Sequence, residues 1–219
     1  MKEGPDIALL GSLIGEPARA NMLTALLSGK ALTASELAGE AGISAQTASS
    51  HLAKMQSGGL LIQRKQGRHR YFALADDDVG SLLEAMMGLR TRTGPKDPAL
   101  RHARVCYNHL AGDLGVQMMD SLLAKNLLTP ENEGLGLTES GKSFFEEFAI
   151  DFEPLEKLRR PLCKSCLDWS NRRSHLAGSL GSALLTRFYD LGWARRLENS
   201  RIVSFNVRGE REFMRMFAV

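Results

Sequence analysis

The sequence predicts a mainly α-helical chain with short β-hairpins, an N-terminal domain over residues 1–94 and a C-terminal domain over residues 95–219 built as an internal repeat. Three observations predict it. Residues 32–74 read as helix, turn, helix and basic hairpin. The polar stretch 90–98, with two prolines, breaks the helical pattern and sets the domain boundary. Beyond it, His109-Leu110-Ala111-Gly112-Asp113-Leu114-Gly115 recurs as His175-Leu176-Ala177-Gly178-Ser179-Leu180-Gly181, identical at every position but one.

The elements follow in order. Ile7, Leu9, Leu10, Leu13 and Ile14 make an apolar helical start, and Pro17 opens a second helix that Ser28-Gly29 ends. Thr33 stands three residues before Glu36, the spacing of a capping box, and Leu37 and Ala41 share one face before Gly42 stops the helix. Ile43 is an apolar plug. Ser44 then caps a helix over 44–55 whose Ala48, Leu52 and Met55 lie at helical spacing. Ser44, Gln46, Thr47, Ser49, Ser50 and Lys54 give that helix hydrogen-bonding groups without one carboxylate, a surface suited to the groove of a polyanion. Gln pairs with adenine in bidentate fashion, Ser and Thr reach base edges or phosphates, and His51 and Lys54 fall where the backbone would pass. Residues 60–74 read as two strands joined at Gln66-Gly67, with Arg64, Lys65, Arg68, His69 and Arg70 at the tip. From Glu40 to Asp76 no acidic residue intervenes. Asp76-Asp77-Asp78 opens a last helix to about Leu89, with Leu82, Leu83, Met86, Met87 and Leu89 apolar.

Composition sets the outer bounds. With 219 residues and 43% hydrophobic content, the chain has enough apolar side chains for one or two real cores. A net charge of +3 is mild, so affinity for an acidic partner depends on local clustering, which the hairpin tip supplies. Three cysteines do not make a secreted disulfide framework, and no leader or spanning apolar run is evident. A cytoplasmic location and no membrane partner are therefore expected.

Leu37-Ala38, the run Ser44-Ala45-Gln46-Thr47-Ala48-Ser49-Ser50-His51-Leu52, Leu60-Leu61 and Gly67-Arg68-His69-Arg70-Tyr71-Phe72 resemble the winged helix-turn-helix of ArsR-type (arsenical-resistance repressor-like) transcription regulators, over residues 7–89. The resemblance implies a homodimeric repressor on double-stranded DNA. The helix over 44–55 would enter the major groove, the wing over 64–70 would touch flanking backbone, and the first and last helices of the domain would form the dimer interface. A solvated basic tip and a plain Met and Leu core are the packing alternatives. The family's usual metal positions are empty, since Ala34-Ser35-Glu36-Leu37-Ala38-Gly39 holds no thiol and 76–89 no histidine. No metal and no cofactor is expected on that ground.

Residues 101–112 and 166–178 resemble a longer subgroup of these regulators with an added C-terminal domain. Leu122-Leu123 echoes Leu184-Leu185, and residues 137–145 parallel 205–213, so each half would be a helix, a short hairpin and a closing helix. This predicts two winged-helix-like repeats about a pseudo-twofold axis. Ala111, Gly112 and Gly115, like Ala177, Gly178 and Gly181, put small residues where helices can cross closely; a curved helix or a bound ligand are alternatives. Cys106 and His109 would share a helical face, and Cys163 and Cys166 another. Such thiols and imidazoles suit a soft metal or redox sensing, or are core residues. Because Cys163-x-x-Cys166 stands alone, the soft-ligand set reads as incomplete and favours an organic small-molecule or thiol-reactive effector, with Tyr107, His109, Trp169 and His175 lining its pocket beside Cys106 and Cys166. No phosphate loop, nucleophile elbow or catalytic set is recognisable, so catalysis is not expected; a thiol-dependent enzyme on a borrowed scaffold and an architectural DNA binder are the contrasting readings.

Overall fold

In the N-terminal part, local chemistry fixes each helix end. The computed structural model describes residues 7–90, 94–131, 134–198 and 200–218, apart from the side chains of 88–90; the boundary expected across 91–93 and the side chain of Leu89 lie outside the described residues. Helix α1 (Ile7–Ile14) is followed by α2 (Pro17–Leu26), capped by the Glu16 carboxylate, which accepts from the Ala18 and Arg19 amides. A short strand β1 (Leu32–Thr33) leads into α3 (Ala34–Ala41). The capping box forms: Glu36 N–H donates to Thr33 Oγ1 at 3.3 Å and Thr33 N–H donates to Glu36 Oε2 at 2.7 Å. Gly42 ends α3 at φ 65°, a left-handed cap that glycine adopts without a Cβ clash. Ser44 then caps α4 (Ala45–Ser57), whose Ala48, Leu52 and Met55 are buried.

Strands β2 (Leu61–Gln66) and β3 (His69–Leu74) close on the two-residue turn Gly67-Arg68, and β1 adds to β3, giving the antiparallel order β1-β3-β2. Helix α5 (Asp77–Arg90) follows. The chain divides into two compact units, Met1–Leu83 and Glu84–Val219. Among the described residues, no helix is long and apolar enough to cross a membrane.

The second unit runs through α6 (Pro98–His102), β4 (Arg104–Cys106), β5 (His109–Ala111), α7 (Asp113–Ala124), β6 (Leu128–Glu131), β7 (Gly134–Leu137) and α8 (Glu139–Glu147). It then continues through α9 (Glu153–Glu156), β8 (Lys164–Leu167), β9 (Ser174–Ala177), α10 (Gly178–Asp190), β10 (Ala194–Arg196), β11 (Val203–Phe205) and α11 (Val207–Met216). The order helix, hairpin, helix, hairpin, helix thus occurs twice. Equivalent positions do equivalent jobs: Thr138 and Asn206 cap α8 and α11 by accepting from the Gly141 and Gly209 amides, and Phe145 and Phe213 are fully buried. One core joins both halves, from Leu110, Leu114, Met118 and Phe145 to Leu176, Leu180, Phe188 and Phe213.

Two local expectations are corrected. Residues 104–111 form a hairpin, not a helix, because Val105 and Leu110 alternate with Arg104, Cys106, His109 and Ala111 on a two-faced ladder. Gly112 and Gly178 are not helix-crossing positions. They sit at the strand-to-helix junctions with φ 86° each, and an added Cβ would lie 2.6 Å from Arg101 O or from Leu162 O. Only the left-handed backbone of a residue without Cβ makes that corner.

Alanine at either corner should therefore cost about 1–3 kcal/mol through backbone strain and collision with a carbonyl. Gly39, inside α3 with open space around it, should gain roughly 0.5–1 kcal/mol as alanine. Thermal melting should show Gly112→Ala and Gly178→Ala shifting down and Gly39→Ala shifting up; shifts of one sign for all three would contradict the corner assignment.

Candidate functional site

Two groups of chemistry-bearing side chains stand out, one exposed on the first unit and one buried in the second. On α4, Gln46, Thr47, Ser49, Ser50 and Lys54 are exposed and lie opposite the buried Ala48, Leu52 and Met55. Ser44 and Thr47 are engaged with each other, with Ser44 Oγ accepting from the Thr47 amide at 3.2 Å, and Ser49 Oγ donates to Ala45 O at 2.9 Å. His51 departs from its expected place at a phosphate. Its Nδ1 is 3.0 Å from Arg19 Nη1 and its Nε2 is 3.6 Å from Glu16 Oε2, so the ring is turned toward α2. Arg19 itself is buried, donating to Leu13 O and Ser12 O, and ties the end of α1 to α2 and α4.

The β2–β3 hairpin carries Arg64, Lys65, Arg68, His69 and Arg70, all exposed. Lys65 lies directly opposite Arg70 in the ladder, and Gln66 opposite His69. Like charges at cross-strand positions destabilise a hairpin, and among the described residues no carboxylate pairs with Arg64, Lys65, Arg68 or Arg70. The hairpin holds repulsion that an external anion would relieve.

The buried group is assembled from both hairpins of the second unit. Cys106 pairs with His109 across β4–β5, and Cys166 with His175 across β8–β9. Directly opposed residues of an antiparallel ladder project from the same face, so each hairpin presents one thiol beside one imidazole. The hairpins meet, and the ligand-type atoms of all four residues lie within 4.8 Å of one another. Cys106 Sγ is 3.9 Å from Cys166 Sγ, and His109 Nε2 is 3.1 Å from His175 Nε2. All four are buried. The expected Cys163 and Cys166 pair does not form: Cys163 packs in the main core, and burial pushes its thiol up to about 12. The soft-ligand set that read as incomplete has four members, because strand register rather than helical spacing brings them together.

Glycine is required by the preceding hairpin of each helix: a Cβ on Gly115 would lie 2.6 Å from Leu110 O and one on Gly181 2.5 Å from Leu176 O, while His175 Cβ and His109 Cβ would sit at ordinary contact distances of 3.5 Å and 3.4 Å. Ala111 and Ala177 pack with Cys106 and Cys166 in a small apolar cluster around the thiols.

A hydrogen bond from Cys106, and then the neighbouring imidazoles, lower the Cys166 thiol despite burial, while Cys106 is held well above the ordinary thiol range by the same bond and by burial. Burial lowers the His109 pKa and keeps its ring neutral. Trp169, expected to line a pocket, is buried with the Arg104 guanidinium 4.8 Å over its ring, and Tyr107 forms the β4–β5 turn at φ 57°.

Sequence reasoning missed Arg104, Asp168 and Asn108. Arg104 Nη2 donates to both Asp168 oxygens at 2.8 Å, and the two side chains are 1% and 0% exposed. Burial alone would raise the Asp168 carboxyl, but the Arg104 charge and donors from Ser170, Gly112 and Asn171 hold it well below the usual range. Asp168 Oδ2 also lies 3.6 Å from His175 Nδ1, and Asn108 Oδ1 lies 3.1 Å from His109 Nδ1. The available signal was an Arg opening β4 and an Asp directly after β8.

Removing Arg104 strands the Asp168 charge in the interior. Arg104→Ala should destabilise the second unit by about 3–5 kcal/mol, read as a lowered urea midpoint. A loss below about 1 kcal/mol, the range of exposed pairs, would show that the pair is solvated.

The comparisons with known proteins fall on both units. A family model described as "Helix-turn-helix domain" matches residues 14–64. The HTH-type transcriptional regulator YdfF of Bacillus subtilis is 37% identical over 216 residues, covering 95% of this chain and 96% of that protein. The HTH-type transcriptional regulator CmtR of Mycobacterium tuberculosis is 30% identical over 89 residues, 39% of this chain and 75% of CmtR. Among solved structures, the homodimeric winged helix-turn-helix DNA-binding domain of a possible ArsR-family transcriptional regulator from Mycobacterium bovis is 26% identical. It covers 41% of this chain and 89% of that one at a TM-score of 0.36. With the capped helix pair, the hairpin and a relative matched along nearly its whole length, this chain belongs to the HTH-type transcriptional regulators.

Proposed function

We propose that this regulator is a cytoplasmic, dimeric repressor that reads double-stranded DNA with α4 and the β2–β3 wing and is released by an effector acting on residues 95–219. One observation carries the DNA reading: an exposed helix face and hairpin with Lys54, Arg64, Lys65, Arg68 and Arg70, in which Lys65 and Arg70 face each other with no carboxylate paired to them among the described residues. Phosphate contacts neutralise that repulsion, and each one releases counterions. Gln46, Thr47 and Ser50 are the base readers, with Ser44 and Ser49 close to the backbone and His51 in support through Arg19.

The dimer is assigned to α1 and α5, which leave Ile7, Leu9, Leu82 and Met86 exposed. Because α5 runs on to Arg90, the DNA-binding and dimerisation module is taken to end at residue 94. Residues 95–219 are read as two winged-helix-like repeats, a reading supported by the recurring element order and by the reciprocal contact of Gly115 with His175 and Gly181 with His109. The buried Cys106, His109, Cys166 and His175 centre is where the effector is placed, since a change there alters how the two halves are joined. Control then requires that the effector bind the DNA-bound and released states with different affinity.

The test uses DNA from upstream of the regulator's own gene. Lys65→Ala or Arg70→Ala should weaken binding to all sequences alike and reduce the salt slope by about one unit, whereas Gln46→Ala should relax preference at one base pair by about 1–3 kcal/mol. An unchanged salt slope in both wing variants would remove the wing from the interface. Sedimentation should show a dimer at micromolar concentration that Leu82→Glu with Met86→Glu converts to monomer; a monomeric parent, with and without DNA, would overturn the dimer.

A further inference from the structure

The ring orientations in the buried centre turn both Nε2 atoms toward each other. His109 turns Nδ1 to the Asn108 side-chain oxygen, and His175 turns Nδ1 toward the Asp168 carboxylate, with no hydrogen bond at that nitrogen. A ring whose Nδ1–H faces an oxygen keeps a lone pair on Nε2. The two Nε2 atoms face each other across 3.1 Å inside an apolar shell, either sharing one proton or, with Nδ1–H on both rings, presenting two lone pairs to a cation between them.

The spacing matches one kind of cation. Ligand bonds of about 2.3 Å to sulfur and about 2.0–2.1 Å to nitrogen at tetrahedral angles place two sulfurs about 3.8 Å apart and two nitrogens about 3.3 Å apart. The centre has 3.9 Å and 3.1 Å. A disulfide would need the sulfurs at about 2.05 Å, and it would leave the facing imidazoles unexplained. Four ligands, two of them soft, suit a borderline-soft ion without redox chemistry rather than magnesium or calcium, which require oxygen. Asn108 and Asp168 stand where partners that orient ligating histidines commonly stand.

We propose that Cys106, His109, Cys166 and His175 bind a single zinc-class divalent ion that fastens the β4–β5 hairpin to the β8–β9 hairpin. Both thiols lose their protons to solvent as the ion enters, and no electron is transferred. With four protein ligands and no exposed position, the site is of the closed, structural kind, so binding energy appears as stability of the second unit. The inference names the ligand class of the centre to which the effector was assigned, and it rests on that reading only for the consequence in gene control.

The experiment uses the full chain, prepared with chelator and then titrated with Zn²⁺ or with Co²⁺ as a coloured substitute. The expected result is one ion per chain, thiolate-to-cobalt charge-transfer and tetrahedral Co²⁺ absorption, and two of three thiols protected from alkylation with Cys163 as the third. Cys166→Ser and His175→Gln should lose the bound ion, and Cys163→Ser should keep it. Since ligand variants could fail to fold, Asn108→Ala supplies a milder test: the tetrahedral spectrum stays while affinity falls about 10–100-fold. A folded parent that takes up no ion and shows Cys106 and Cys166 joined as a disulfide overturns the proposal, as does octahedral Co²⁺ without thiolate bands. If wing-dependent, salt-sensitive DNA binding persists in that ion-free parent, the metal reading fails while the repressor reading stands.

Discussion

The Asp168 carboxylate is the point on which the second unit is registered. A fully buried charge is tolerated only when donors replace the water it has lost. Here the donors come from both repeats: Arg104 and the Gly112 amide from the first, Ser170 and the Asn171 amide from the second. Satisfying one carboxylate therefore fixes the first hairpin, the strand-to-helix corner after it and the β8–β9 turn relative to one another. The thiols and imidazoles are brought together as a consequence. Trp169 covers the pair from the side, its ring face meeting the Arg104 guanidinium.

The first unit uses its cations in the opposite way. Arg19 is buried and spends its donors on the carbonyls of Ser12 and Leu13 and on His51, which binds three helices together. The wing cations make no such bonds. Arg68 donates to the neighbouring His69, and Lys65 and Arg70 simply face each other. A positive charge with internal partners is structural, and one held among like charges at a hairpin tip is available to a polyanion. Residue type alone does not separate these roles, whereas ladder register and partner count do.

That distinction explains what the sequence made legible. Capping box, glycine stop, Ser cap and basic turn are local signals, each encoded within a few residues, and they located the helix-turn-helix and the wing within one or two residues. The echo between the two heptads, which differ at one position, was visible too, because near-identity needs no geometry to be noticed. What failed was the period in residues 104–111. Spacing i to i+3 in Cys106-Tyr107-Asn108-His109 is common to a helical face and to a two-residue hairpin, and the alternating Val105 and Leu110 were too few to decide. Cys163 misled for a related reason, since proximity in sequence to Cys166 suggested a pair, whereas Cys163 precedes β8 and packs in the main core. The 60-residue separation of Cys106 from Cys166 cannot be bridged by any local rule.

The glycines give the deeper reason that the two copies belong together. Gly115 and Gly181 each let the helix start close against the carbonyl of its own hairpin, Leu110 or Leu176, and each also lies in contact with the histidine of the other copy. Likewise each hairpin offers one thiol and one imidazole, half of a four-ligand set. A single copy would keep a ligand pair too small to hold a structural ion. Substitution in one copy is therefore felt at the other, and the shared core of Leu110, Leu176, Phe145 and Phe213 gives neither half an independent interior. Anything that acts on the buried centre acts on the contact between the β4–β5 and β8–β9 hairpins.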